Sequence, residues 1–245
     1  MDLKIKDVAE LLNVSEKTIR RWLAAGKIPA YNINGQYRFS RTEIEQWVMN
    51  HKLGKTFGKS PFTPQQLEKN PSAERAQTLK GAAQYSLYRA LHHGSIYYDI
   101  PGKTKQEVIH HTMQQLAEKL ELDPDVLTEL LLDREEMMPT ALNNGIGVPH
   151  TRDFLLDGQN DVVVLAFLEN PIDYGALDGK KVELLFFLFA SDDKRHLNLL
   201  AKIAHLSSDA QSLQFLLSKP DKNSLLTYIK DWEAKITREC EAAKV

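Results

Sequence analysis

The feature that most limits how this chain folds is a long run without hydrophobic rhythm. From about Leu53 to Lys80 the sequence is dominated by Gly, Lys, Pro, Gln and Ser, and its few apolar residues follow neither a helical nor a strand period. Such a run reads as a linker. The chain therefore divides into two folding units, and 245 residues suffice for a small domain and a larger one, each with its own core. The division reads as 1–52, a linker over 53–84 that has room for a short helix near Gln65 to Glu74, and a larger domain over 85–238.

Charge follows the same division. Residues 1–80 carry 14 Lys/Arg against 8 Asp/Glu, whereas residues 81–245 carry 17 against 25, so a net charge of -2 conceals a basic front and an acidic remainder. The front end is thus the part suited to a polyanion. Hydrophobic content of 42% with no apolar stretch near the ~20 residues of a membrane span points to a cytoplasmic protein with no membrane insertion. The start, Met1-Asp2-Leu3-Lys4, lacks the features of a secretory signal. Cys240 is the only cysteine, has no partner for an internal disulfide, and reads as incidental.

Residues 1–52 carry clear helix and turn signals. Val8, Ala9, Leu11 and Leu12 make an amphipathic turn, and a break follows at Asn13-Val14. Ser15 is a good N-cap for a second helix carrying Lys17 to Leu23, which Gly26 ends. Ala30 to Ile33 and Gln36 to Phe39 read as a hairpin joined at Asn34-Gly35, a dipeptide that accepts the positive φ angles of a type I′ turn. Ser40-Arg41-Thr42-Glu43 is a capping box ahead of a closing helix with Ile44, Trp47 and Val48. Trp22, Leu23, Phe39 and Trp47 belong to the core. The runs Lys6 to Leu12, Ser15 to Trp22, Gly26 to Ala30 and Tyr37-Arg38-Phe39 together resemble the MerR/excisionase-like winged helix-turn-helix, mainly α with a β-hairpin wing. That resemblance implies double-stranded DNA as partner, with Lys17, Thr18, Arg20 and Arg21 of the second helix and Tyr37 and Arg38 of the wing facing it. Arginine can fork onto a guanine edge or a phosphate, while Lys and Thr mostly position. Glu16 is a competing local partner for either arginine, and Gln36 stands where relatives often carry a basic residue. A unit this small contacts little DNA, which implies a homodimer or tandem sites.

The larger domain alternates between periods. Lys105 to Leu120 has Val108, Ile109, Leu116, Ala117 and Leu120 on one face, and Asp123-Pro124 caps and opens a helix that delivers Arg134 at its end. Asp161 to Leu168 and Val182 to Phe189 are strands, the second apolar enough to lie inside a sheet. Asp192 to Leu206 is a helix with Leu197, Leu200, Ile203 and Ala204 inward, and Asp209 to Leu217 and Ser224 to Ile236 are helices. The fold class is therefore an α/β domain with a mixed sheet flanked by helices, preceded by the small unit.

Its chemistry centres on Asn144-Gly145-Ile146-Gly147-Val148-Pro149-His150. A neutral imidazole is a good nucleophile near pH 7, glycines permit close backbone approach, and Pro149 stiffens the chain that aims the ring. This run, with Arg134-Glu135, Thr140 and His196-Leu197, resembles the phosphotransferase-system enzyme IIA of the fructose, mannitol and nitrogen-regulatory class, from about Leu87 to Ile236. The resemblance implies a phosphoryl group carried covalently on His150 and no other cofactor. Arg134 and His196 would brace it, and Thr140, Asn144 and Gly145 would line the phosphate environment. An HPr-like phosphocarrier is the implied donor. Where relatives commonly carry Gly-Ser-Thr-Gly, this chain has the bulkier Met138-Pro139-Thr140-Ala141. The pairs His92-His93 and His110-His111 read as solvated or packing residues, so no metal site is expected, and Glu135-Glu136 and Asp192-Asp193 read as exposed or capping groups.

The two resemblances in one chain imply a regulator in which phosphorylation of His150 modulates transcription. The alternative is a carrier that passes phosphate to a separate IIB sugar-transport protein.

Overall fold

The computed structural model describes residues 2–12, 14–33, 35–51, 85–120, 122–151 and 160–242; the linker, with the helix expected near Gln65 to Glu74, lies outside them. The N-terminal unit runs β1 (Asp2–Leu3), α1 (Ile5–Leu11), α2 (Glu16–Ala24), β2 (Tyr31–Ile33), β3 (Gln36–Ser40) and α3 (Arg41–His51). Ser15 caps α2 as its chemistry predicts, with Thr18 N–H donating to Ser15 Oγ at 3.1 Å. The hairpin pairs Ile33 with Gln36 and Tyr31 with Arg38, and Gly35 takes φ +77° at its tip. β1 was not evident in the sequence; it adds to the free edge of β3, giving the order β1-β3-β2. Ile19, Phe39, Ile44 and Val48 fill the interior. Trp22 and Trp47 lie with ring centroids 5.3 Å apart, and the Trp47 indole N–H donates to the Lys27 carbonyl.

The larger domain continues with α4 (Ser86–His93), β4 (Ile96–Ile100), α5 (Lys105–Leu120), α6 (Pro124–Met137), β5 (Ile146–Gly147), β6 (Val162–Ile172), β7 (Val182–Phe189), α7 (Asp193–Ser208), α8 (Ala210–Leu217) and α9 (Lys222–Ala242). The sheet order is β4-β6-β7-β5, antiparallel only between β6 and β7, so it is the mixed sheet expected. Strand alternation sorts the core into two layers. Val163, Leu165, Phe167, Leu184, Phe186 and Leu188 point to one layer with α4, α7, α8 and α9, while Val164, Ala166, Leu185 and Phe187 point to the other with α5 and α6.

Helix ends follow local chemistry. Asp123 accepts from Asp125 N and Val126 N, Asp192 from Arg195 N, and Asp209 from Ser212 N. Differences arise where long-range pairing decides. β6 runs to Ile172 rather than Leu168, with irregular register against β7 after Phe167, and Asp161 lies before it, accepting from Ser191 N at 3.0 Å. β4 and β5 are short strands that the sequence did not announce, and α9 begins at Lys222 and reaches Ala242.

The N-terminal unit packs on the larger domain through α1 and α3, both against α7. Buried apolar residues of the two units form one continuous cluster. No local signal announces this contact, because it joins residues far apart in the chain.

Candidate functional site

His150 follows β5 and is anchored by its own backbone. It bridges to Leu188 of β7, and Leu188 N–H donates to the Pro149 carbonyl at 3.0 Å. The loop before it turns at Asn144-Gly145, where φ values of +67° and +79° bring Leu142 N–H to the Ile146 carbonyl at 2.7 Å. A side chain at Gly145 would be strained by that φ, which is why the tight turn uses glycine. The ring of His150 is 1% exposed, and its Nδ1 lies 2.8 Å from the Val148 carbonyl. A carbonyl only accepts, so Nδ1 carries a hydrogen, and in the neutral ring the lone pair is on Nε2. The nucleophilic atom is therefore Nε2.

His196 meets it from the first turns of α7. The two rings lie 4.9 Å apart at 61°, and His196 is 2% exposed. Burial pushes the His196 pKa well below the ordinary histidine range, and His150, Arg41 and Arg134 add to the shift. His196 is thus a neutral imidazole at pH 7. Arg134 sits buried at the end of α6, where Nη1 donates to the Met138 carbonyl at 3.1 Å. Its charge is the smallest of the named contributions that lower the His196 pKa.

The other residues expected around the phosphate make contacts of their own. Thr140 donates to Glu135 through both backbone N–H and hydroxyl. Asn144 N–H donates to Asp178 at 2.8 Å, and Lys180 Nζ donates to Asn144 Oδ1 at 3.1 Å. Glu135 corrects one expectation: it is buried rather than exposed or capping, and burial raises its pKa while Thr140 and Lys105 oppose the rise. Glu136 is exposed, Asp192 caps α7, and Asp193 pairs with Arg41. His110 and His111 contact Gln114 and the Pro101 carbonyl, and His92 and His93 are exposed at the end of α4.

Glu45 is the residue that sequence reasoning missed. It lies on α3, is 4% exposed, and sets Oε1 3.3 Å from His196 Nε2 and Oε2 3.9 Å from His150 Nε2. Arg41, one turn earlier, donates from Nε to Glu45 Oε1 at 2.8 Å and pairs with Asp193 on α7. Nothing local in Thr42-Glu43-Ile44-Glu45 distinguishes this carboxylate from a surface one.

On the outer surface of the N-terminal unit, Lys17, Arg20 and Arg21 are exposed on α2. Arg20 lies 3.8 Å from Glu16, a pairing worth little at that exposure. The Thr18 hydroxyl meets that of Ser15 at 2.9 Å. Tyr37 is exposed on the hairpin, and Arg38 bonds to the Tyr37 carbonyl and Gln36 Oε1.

Known proteins match both units. The family described as "Phosphoenolpyruvate-dependent sugar phosphotransferase system, EIIA 2" matches residues 89–232, and a helix-turn-helix domain family matches residues 3–52. A nitrogen regulatory protein of Pseudomonas aeruginosa is 32% identical over 148 residues, 59% of this chain and 95% of its own. One from Escherichia coli is 32% identical over 133 residues, 54% of this chain and 81% of its own. The crystal structure of a PTS IIA domain from Streptococcus pyogenes, 22% identical, superposes with a TM-score of 0.50 over 60% of this chain and 97% of that one, a likeness of fold. No described helix is long and apolar enough to cross a membrane. From Arg89 to Trp232 this chain belongs to the EIIA 2 family of the phosphoenolpyruvate-dependent sugar phosphotransferase system, and a helix-turn-helix domain precedes it.

Proposed function

We propose that the protein is a DNA-binding regulator, in which a phosphoryl group passed from an HPr-like phosphohistidine carrier to His150 Nε2 loosens the N-terminal unit and alters its binding to double-stranded DNA. The observation that carries this reading is the position of Glu45, a side chain of the helix-turn-helix unit held against the acceptor pair. The exposed face of α2, with Lys17, Arg20 and Arg21, is the surface offered to DNA. The relatives named nitrogen regulatory proteins favour signal over cargo.

Charge supplies the coupling. In the transfer the donor P–N bond breaks as the bond to Nε2 forms, and the group arrives with its negative charge. Arg134 and the amides that open α7 are the positive groups available to it. Glu45 then faces an anion; two like charges about 4 Å apart repel by roughly 4 kcal/mol at the effective dielectric of a protein surface. That repulsion opposes the Arg41–Asp193 ion pair and the apolar packing that hold the units together. Donor access also requires the movement, since His150 is covered while the unit is docked.

The test is incubation of wild type and His150→Ala with phosphoenolpyruvate and the general phosphocarriers, followed by DNA binding of each form at fixed salt, using duplexes enriched from a random pool. Expected are an acid-labile phosphate on wild type alone and a severalfold change in its DNA affinity. Equal affinity of both wild-type forms overturns the coupling. Onward transfer to a IIB cysteine without that change would instead identify a carrier.

A further inference from the structure

We propose that Glu45, His150 and His196 bind a single divalent cation of the zinc class, which clamps the helix-turn-helix unit onto the carrier domain and competes with the phosphoryl group for His150 Nε2. One ligand atom of each residue lies within 4.8 Å of the other two, and all three side chains are buried. Two histidines and a glutamate form a donor set that zinc takes with a fourth position open. Zinc bonds of about 2.0 to 2.1 Å in a tetrahedron place neighbouring ligand atoms about 3.3 Å apart. The Glu45 to His196 separation is 3.3 Å, and the Glu45 to His150 separation of 3.9 Å closes with a small side-chain rotation.

Orientation supports the geometry. The Val148 carbonyl holds the His150 Nδ1 hydrogen, so the Nε2 lone pair points toward the carboxylate. This is the outer-shell hydrogen bond that metal-binding histidines ordinarily make. His196 Nε2, buried beside it, makes no hydrogen bond among the described residues. Arg41 holds the same carboxylate from its other side and pairs with Asp193, which fixes the orientation of Glu45. Imidazole nitrogens select zinc, copper or nickel over calcium or magnesium.

The ligands come from two units, so the cation binds only when they are docked, and docking tightens when it binds. The cation site rests on the docked arrangement, and only its competition with the phosphoryl group rests on the proposed function.

The experiment is a titration of the full chain, stripped with chelator, with Co(II), read by the visible absorption of a tetrahedral site, and then displacement with Zn(II). One equivalent is expected, with affinity lowered at least about tenfold in Glu45→Gln and in His196→Gln. Phosphorylated wild type should bind no Co(II). Absence of the band in wild type overturns the proposal. So does a band unchanged in Glu45→Gln, which would show that the carboxylate holds no metal. A chain that accepts phosphate but no Co(II) loses this site and keeps the proposed function, and a chain that binds Co(II) but accepts no phosphate does the reverse.

Discussion

Arg41 on α3 and Asp193 in the first turn of α7 form an ion pair that ties the N-terminal unit to the larger domain. The same guanidinium holds Glu45, so one residue fixes both the docking helix and the carboxylate over the histidines. The side chains are 19% and 25% exposed, which limits screening by solvent without removing it. Arg41→Gln and Asp193→Asn are each expected to speed amide exchange in α3 about fivefold, with a coupling of about 1 kcal/mol in the double mutant. Simple additivity would show that the pair does not hold the units together.

Acid should weaken the structure through His196. Its folded pKa is depressed by burial and by His150, Arg41 and Arg134, so above about 6.5 both folded and unfolded forms are neutral and the contribution is complete. As pH falls below about 6.5 the unfolded chain takes up the proton first, and stability declines by up to about 1.4 kcal/mol per pH unit until the folded pKa is reached. Urea midpoints measured from pH 7.5 down to 5.5 should therefore fall for wild type and fall less steeply for His196→Gln. Parallel curves would show that the ring is not held neutral.

Glu233 on α9 supplies a cap that α4 lacks. Tyr85 precedes that helix and offers no capping side chain, while Glu233 accepts from Leu87 N at 3.1 Å and Tyr88 N at 2.9 Å. Lys202 of α7 donates to it at 2.6 Å. Burial lowers the Lys202 pKa, and Glu233 opposes the fall. Removing the carboxylate leaves an ammonium and two helix amides short of an acceptor, so Glu233→Ala is expected to cost about 3 kcal/mol. Glu233→Gln should cost less, since the amide oxygen still accepts; equal losses would refute the capping role. Denaturant unfolding measures both.

Two glycines should fail for different reasons. A Cβ at Gly94 would fall on the Val163 peptide, 2.7 Å from its carbonyl carbon, so Gly94→Ala must push α4 and β4 away from β6. The expected loss is at least about 3 kcal/mol. Gly179 has open space around it but φ +68°, and Gly179→Ala should cost only about 1 kcal/mol. Melting temperatures that rank the two the other way would contradict the close approach at Gly94.

What the amino-acid order determined by itself is what depends on neighbours in the chain. Ser15, Asp123 and Asp192 were legible as caps because a cap bonds to amides two or three residues on. The hairpin at Asn34-Gly35, the apolar strand Val182–Phe189 and the histidine behind Val148-Pro149 were legible for the same reason. β4 and β5 were not, because strands so short exist only through the partners beside them. Glu135 read as a surface acid, and burial against Thr140 shows otherwise. Glu45 is the largest such case. Its place over His150 and His196 depends on apolar residues of α1 and α3 packing against α7, a contact between units that a linker separates. Local chemistry named the acceptor, and only tertiary packing decided which side chain faces it, since a carboxylate has no preference for a distant imidazole until burial brings the two together.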